Sequence, residues 1–310
     1  VVASSPMVGN FGILAVVFAL HTQFSSAGYS FAIGITVCGV IQWLWVLFPT
    51  IKRGMHLRLR RPQLSPNVRR FFVILGPAAF GSGVVQINLF VGSWIASWLP
   101  TGAISYLNFA DRLNQLPLSV IGVAVSTALL PLLSKQIRSG AESEASASQN
   151  LALEFSMFLT LPATLALTLI AHPLIAAVFE RGAFSAEDSL ATGYTLMALA
   201  LGLPAYVMIK VFTTGFFARQ DTKTPIYTAL AGIAVDIILS LVLMGSLKQI
   251  GIALATAAAA WVNALLLGYL LWRKGHLVIE KRLLMFFPRL LIVCFGTGVV
   301  LKGLNQILTP

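Results

Sequence analysis

The sequence runs to 310 residues, 57% of them hydrophobic and only 10% charged, with a formal net charge of +11. A mean hydropathy of +0.87 excludes a water-soluble domain, which needs more polar surface to cover its core. The basic residues fall mainly in every second gap between apolar runs rather than on one folded face. That pattern argues against a nucleic-acid partner and fits the retention of Lys and Arg in short cytoplasmic loops.

The apolar runs are about 20 residues long, what a helix needs to cross ~30 Å of hydrocarbon. They predict an all-α polytopic transmembrane bundle of about nine spans. The first covers about Ala3 to Ala19 and the second about Tyr29 to Pro49, with Cys38 a small buried hydrophobe in it. Lys52, Arg53, Arg58, Arg60, Arg61, Arg69 and Arg70 follow in a strongly basic segment, placed in the cytoplasm as a plain loop or an interfacial helix. The third span, Phe71 to Trp98, contains Gly76-Pro77 and Gly81-Ser82-Gly83, and Gln86, Ser93 and Ser97 share one face, with Asn88 nearby.

A short outer turn leads to the fourth span, Ala103 to Leu133, which Lys135 and Arg138 close on the inner side. Ser139 to Asn150 reads as a polar linker, and the fifth span as Leu151 to Val178. An outer loop with Glu180, Arg181, Glu187 and Asp188 precedes the sixth span, Leu190 to Phe212. Arg219 and Lys223 mark an inner loop, where Thr224-Pro225 reads as an N-cap and first helical position. The seventh span, Pro225 to Met244, turns at Gly245 to Gln249 into the eighth, Ile250 to Trp272. Arg273, Lys274, Lys281 and Arg282 lie inside again before the ninth, Phe286 to Leu304, which holds Cys294. The chain opens inside one apolar run and trails off after another, which reads as a piece truncated at both ends.

Ions inside a span are functional candidates, because a charge at the bilayer centre costs about 2.5–3.5 kcal/mol on insertion scales. The fourth span carries Asp111-Arg112, with Arg112 about 14 Å along the helix from Ala103. Its polar residues, Ser105, Asn108, Arg112, Gln115, Ser119, Gly122 and Ser126, recur in steps of three and four, one face of an α-helix. Lipid cannot satisfy such a stripe, so it faces protein or a water-filled cavity. In a cavity, Arg112 presents a permanent forked cation suited to phosphate oxygens. Pro117 is placed to bend the helix.

Asp236 is the second such ion, about 16 Å into the seventh span, with Ser240 one turn further on the same face. A protonated acid, a distant ion pair and a site for a coupling cation or proton all fit it. Lys210 is read as snorkelling to the inner interface, and Glu154 and His172 as interfacial. No hydrolytic or metal-binding spacing is present, and no cofactor is expected.

Several strings carry a resemblance to a known family. They are Gln86-Ile-Asn88, Gly102-Ala-Ile-Ser-Tyr106, Phe109-Ala-Asp-Arg-Leu-Asn-Gln-Leu-Pro117, Gly122-Val-Ala-Val-Ser-Thr-Ala-Leu-Leu-Pro131, Arg181-Gly-Ala-Phe184, Phe217-Ala-Arg-Gln-Asp-Thr-Lys-Thr-Pro225 and Gly251-Ile-Ala-Leu-Ala-Thr256. Collinear over nearly the whole chain, they resemble the MurJ (MviN) family of lipid II flippases in the MOP exporter superfamily. The resemblance implies a fragment lacking the first four helices and the last. Residues 1–50 would be the last two helices of the N-terminal lobe and 51–70 a basic cytoplasmic linker. Residues 71–272 would be the six-helix C-terminal lobe, and 273–310 a loop and an additional helix.

It further implies a multi-pass protein of the bacterial inner membrane, serving peptidoglycan synthesis. Such a protein moves lipid II to the periplasmic leaflet by alternating access, and its partners are lipid II, membrane lipids and cell-wall synthesis proteins. Arg112 would hold the diphosphate, with Asp111, Asn108, Gln115, Ser105 and Gln86 as neighbouring substrate contacts. Asp236, Ser240 and Thr256 match a cation site in some members, although Gly92 stands where an acid is expected; coupling to Na+, H+ or membrane potential stays open. The rival readings are another exporter of the superfamily, for polysaccharide-lipid intermediates or drugs, and a membrane scaffold that transports nothing.

Overall fold

A computed structural model describes residues 4–20, 27–52 and 88–278, with positions 68, 86, 290, 292, 294 and 296–298. The described residues contain helices and turns and no strand. Most of the basic linker, Gly76-Pro77, Gly81 to Gly83, Lys281, Arg282 and much of the ninth span lie outside the described residues. The chain divides into two compact units, Val1–Val73 and Ile74–Pro310.

In the first unit, α1 (Ser5–Leu20) lies against α2 (Ala27–Lys52). Two hydrogen bonds tie the ends of the pair: Ser30 Oγ donates to the Leu20 carbonyl at 3.1 Å, and Trp45 Nε1 to Ser4 Oγ at 3.2 Å. Between them the helices approach closely, since a Cβ on Gly12 would stand 2.7 Å from Cys38 Sγ. Small residues at a helix contact give backbone proximity where lipid supplies no hydrophobic drive. Cys38 is buried, as expected.

The second unit is a bundle. A helical stretch at 88–96 precedes α3 (Ala103–Pro117), a π-helical segment (Leu118–Val123), α4 (Ala124–Arg138) and α5 (Glu142–Leu169). Then come α6 (Ala171–Phe179), α7 (Ala186–Ala200), α8 (Leu203–Ala218) and α9 (Lys223–Arg273). Among the described residues of both units, five helical segments are long and apolar enough to cross a membrane: Gly28–Lys52, Ala103–Arg138, Glu142–Leu169, Ala186–Ala218 and Lys223–Arg273.

Helix α9 is two antiparallel arms, folded back at Lys248, whose φ of 50° and ψ of −130° leave the helical region. Asp236 faces Thr256 and Gly232 faces Asn263, so the arms pair around this turn. The expected turn at Gly245 to Gln249 is therefore present. Gly251 permits it: a Cβ there would lie 2.6 Å from the Leu243 carbonyl oxygen. Helix α8 runs through the middle, burying Leu203, Val207, Val211, Phe212 and Phe216. One apolar cluster joins Leu133, Leu153, Phe216, Leu267 and Leu271, and another Leu113, Ile175, Leu196 and Ala253.

The expected polar linker at 139–150 is instead the start of α5, leaving only Ser139 to Ala141 as turn. Glu142 and Glu144 sit in the first turn, where carboxylates favour the positive end of the helix dipole. Glu154 then lies about 18 Å along that helix and is buried rather than interfacial.

Three of the gaps assigned to the cytoplasm, those after α4, α8 and α9, meet at one end of the second unit. Arg219 pairs with Glu142 at 2.6 Å and Lys274 with Asp221 at 2.6 Å, while Ser146 and Asn150 bind the backbone of Val278. At the other end Tyr106 donates to Asp188 at 2.6 Å, and Phe109, Phe179 and Phe184 stack together. The alternation of basic and non-basic gaps is thus an arrangement in space.

Candidate functional site

Helix α3 buries Ala103, Ala110, Leu113 and Asn114, and by helical spacing this turns Ser105, Asn108, Arg112 and Gln115 outward. All four are exposed, as is Ser119. Among the described residues, no carboxylate lies within ion-pair distance of Arg112. Its neighbour Asp111 is half-buried and accepts a short hydrogen bond from Gln115 Nε2 one turn on. Adjacent residues on a helix do not face one another, so the acid does not seal the guanidinium. Asn108 Nδ2 donates to the Ile104 carbonyl at 2.8 Å. Gln86 is exposed on its own segment.

The lower stripe departs from the expectation. Pro117 has no N–H to continue the helical ladder, and the six residues after it are π-helical. A π segment carries more residues per turn, so a three-four pattern drawn on a straight α-helix slips around the axis. Gly122 is consequently buried against Leu118 and Lys210, and Ser126 lines a separate cavity. The polar stripe therefore divides into an outward part, Ser105 to Ser119, and an inward part.

A second cluster forms around Asp236, which is 9% exposed. Thr256 Oγ1 donates to Asp236 Oδ1 at 3.1 Å, and Asn88 and Ser240 lie beside the carboxylate. Asp236, Ser240 and Thr256 are thus brought together, and Asn88 joins them. Asn88, Tyr206, Lys210, Asp236, Thr256 and Asn263 are among the residues around a cavity of about 360 Å³. The donor set is one carboxylate with neutral oxygens, which suits a monovalent cation and is thin for a divalent one. Among the described residues, no group of three or more His, Cys, Asp or Glu side chains could hold a metal ion.

Lys210, Tyr206 and Asn263 were not anticipated here. The signal was present in part, since Tyr206, Lys210 and Thr213 recur at helical spacing; the partner face on α9 lies too far along the chain for spacing to reveal it.

A family model described as Lipid II flippase MurJ matches residues 1–310, the whole chain. The chain belongs to the MurJ family. It is 44% identical over 294 residues to a probable lipid II flippase MurJ of Rhizobium meliloti (strain 1021), covering 94% of this chain and 55% of that protein. To the counterpart from Rhizobium tropici it is 45% identical over 273 residues, covering 88% and 51%. The fold is similar to a solved lipid II flippase MurJ in an inward closed conformation, with a TM-score of 0.79 and 28% identity, covering 95% of this chain and 60% of that one. The chain thus spans about half the length of the curated MurJ relatives it matches. As a MurJ family member with several membrane-length helices, it is a multi-pass membrane protein.

Proposed function

We propose that this chain is the greater part of a flippase that carries lipid II from the cytoplasmic to the periplasmic leaflet of the bacterial inner membrane. The mechanism is alternating access: the diphosphate is held by Arg112, with Ser105, Asn108, Asp111, Gln115 and Gln86 beside it, while the polyprenyl tail stays in lipid. The observation that carries this reading is an intramembrane arginine with no carboxylate against it among the described residues, on an exposed polar face, in a chain of the MurJ family. Its partners are lipid II, membrane lipids and cell-wall synthesis proteins.

The Asp236 cluster is the seat of energy coupling, through Na+ or H+, with membrane potential adding to either. One buried negative charge among neutral oxygens is balanced by one monovalent cation, and the balance is lost when the ion leaves.

Full-length protein with Arg112→Ala should express normally and flip lipid II 10- to 100-fold more slowly. Those factors follow from about 1.5–3 kcal/mol for a charge-assisted hydrogen bond. Arg112→Lys should restore part of the rate, keeping the charge without the fork. Undiminished flipping by the alanine variant would remove the diphosphate-holding role.

A further inference from the structure

Lys210 has no evident task in that reading. It lies nine residues before Arg219, about 14 Å from the inner end of α8, deeper than an extended lysine side chain reaches. An ammonium there is costly unless it meets an anion or water. Among the described residues it has no ion pair; Asp236 lies in the same cavity wall but beyond ion-pair distance.

Lys210 lines two cavities at once. One is the space shared with Asp236. The other, about 440 Å³, is bounded by Ser126, Thr127, Thr213, Thr214 and Asn263 and runs down to Phe217 and Pro225, beside the inner loop. Among the described residues, no carboxylate lines this second cavity. The Thr213 hydroxyl and the Asn263 amide line it, and Asn263 Oδ1 is buried without a partner among the described residues. The opposite wall is held close by Gly122, whose absent Cβ would lie 3.5 Å from Lys210 Cγ. One cation, neutral donors and no competing acid make a lining for phosphate oxygens.

We infer that Lys210 is a second phosphate-binding residue of this lobe, receiving the substrate's diphosphate about 15 Å to the cytoplasmic side of Arg112. An unbroken α-helix sets that distance as the rise of the ten residues from Arg112 to Gly122, which packs on Lys210, and the π-helical segment within it shortens it somewhat. The inference rests on the reading that the cargo is a lipid-linked diphosphate. Substrate arriving from the cytoplasm meets Lys210 first and passes along the helix to Arg112.

The test uses full-length protein whose native cysteines are replaced, with a single reporter thiol at Thr213→Cys or Asn108→Cys. The protein sits in phosphatidylcholine vesicles, and the alkylation rate of the thiol is followed. Inorganic pyrophosphate, or undecaprenyl pyrophosphate in the vesicle, should slow labelling at Thr213→Cys at least five-fold. Lys210→Gln should abolish that protection, Lys210→Arg should keep it, and Arg112→Ala should leave it intact. Retained protection at Asn108→Cys shows that Lys210→Gln is folded, and Lys210→Met serves if it is not. Protection at Thr213→Cys that is absent, or that survives both Lys210→Gln and Lys210→Met, overturns the inference. Equal protection by phosphatidylglycerol overturns the substrate assignment, since any anionic headgroup would then suffice. Failure at Asn108→Cys alone counts against Arg112 and leaves Lys210 standing.

Discussion

At the scale of the residue, the membrane turns each polar side chain into a question of who satisfies it. Arg112 and Lys210 are cations without a carboxylate partner among the described residues, whereas Asp236 accepts a hydrogen bond from Thr256 and has Asn88 and Ser240 beside it. In the proposed reading, the contrast separates two groups that await a ligand from a site already part-filled by its own protein. Asp236→Asn keeps the shape of the cluster and removes its charge. It should make flipping insensitive to a Na+ or proton gradient and lower the rate at least ten-fold. Flipping that still follows either gradient in this variant, measured in vesicles with the gradients imposed separately, would take coupling away from Asp236. Arg112 and Asp236 were legible in the sequence because an ion in an apolar run stands out. Lys210 was not, since the span read from the sequence ends at Phe212, two residues on, where a lysine ordinarily snorkels, whereas the helix continues to Ala218.

At the scale of the element, Pro117 and the π segment after it decide what the stripe can do. Had α3 and α4 been one regular helix, Ser105 to Ser126 would share a face; the π segment turns Gly122 inward and leaves Arg112 outward. Restoring the missing N–H with Pro117→Ala should favour continuous α-helix and rotate the residues beyond it. The expected result is a several-fold change in thiol labelling at Ser126→Cys with little change at Asn108→Cys, read in otherwise cysteine-free protein. Equal labelling at both positions before and after the substitution would show that the π segment does not depend on the proline. Helix α5 carries the companion lesson. A run that looks like a polar linker becomes the first turns of a helix when its acids fall at the N-terminus and its serines and amides find partners on the segment 276–278.

At the scale of the whole molecule, ion pairs between segments distant in the chain tie the second unit together at the end where α4, α8 and α9 finish. Arg219, 7% exposed, reaches Glu142 across 77 residues of chain, and Lys274 reaches both Asp221 and Thr224. Burial alone would raise the Asp221 carboxyl, but Lys274 and the amide and hydroxyl of Thr224 outweigh it and hold it at about 2. Its contribution is therefore present above its unfolded value of roughly 3.9 and is lost only as pH falls toward 2. His276 behaves oppositely in kind: burial, then the nearby Arg219 charge, lower its affinity for a proton. The unfolded chain takes up that proton first, so stability falls as pH drops through roughly 6.5. Between pH 7.5 and 5.5 the melting temperature of the full-length protein should decline by a few degrees, and His276→Gln should flatten the decline. An unchanged slope in that variant would assign the loss to another group.

Span-length apolar runs and the intramembrane ions were determined by the sequence, because each depends on local composition against a solvent of fixed thickness. The tertiary structure alone decided that α8 is central, that the arms of α9 pair so that Thr256 reaches Asp236, that the stripe splits after Pro117, and that Lys210 looks into a cavity. Those outcomes depend on which helix faces which and on a local change of helical pitch. Neither is encoded in the spacing of residues along a single span, and both arise only when helices distant in the chain compete for the same buried surface.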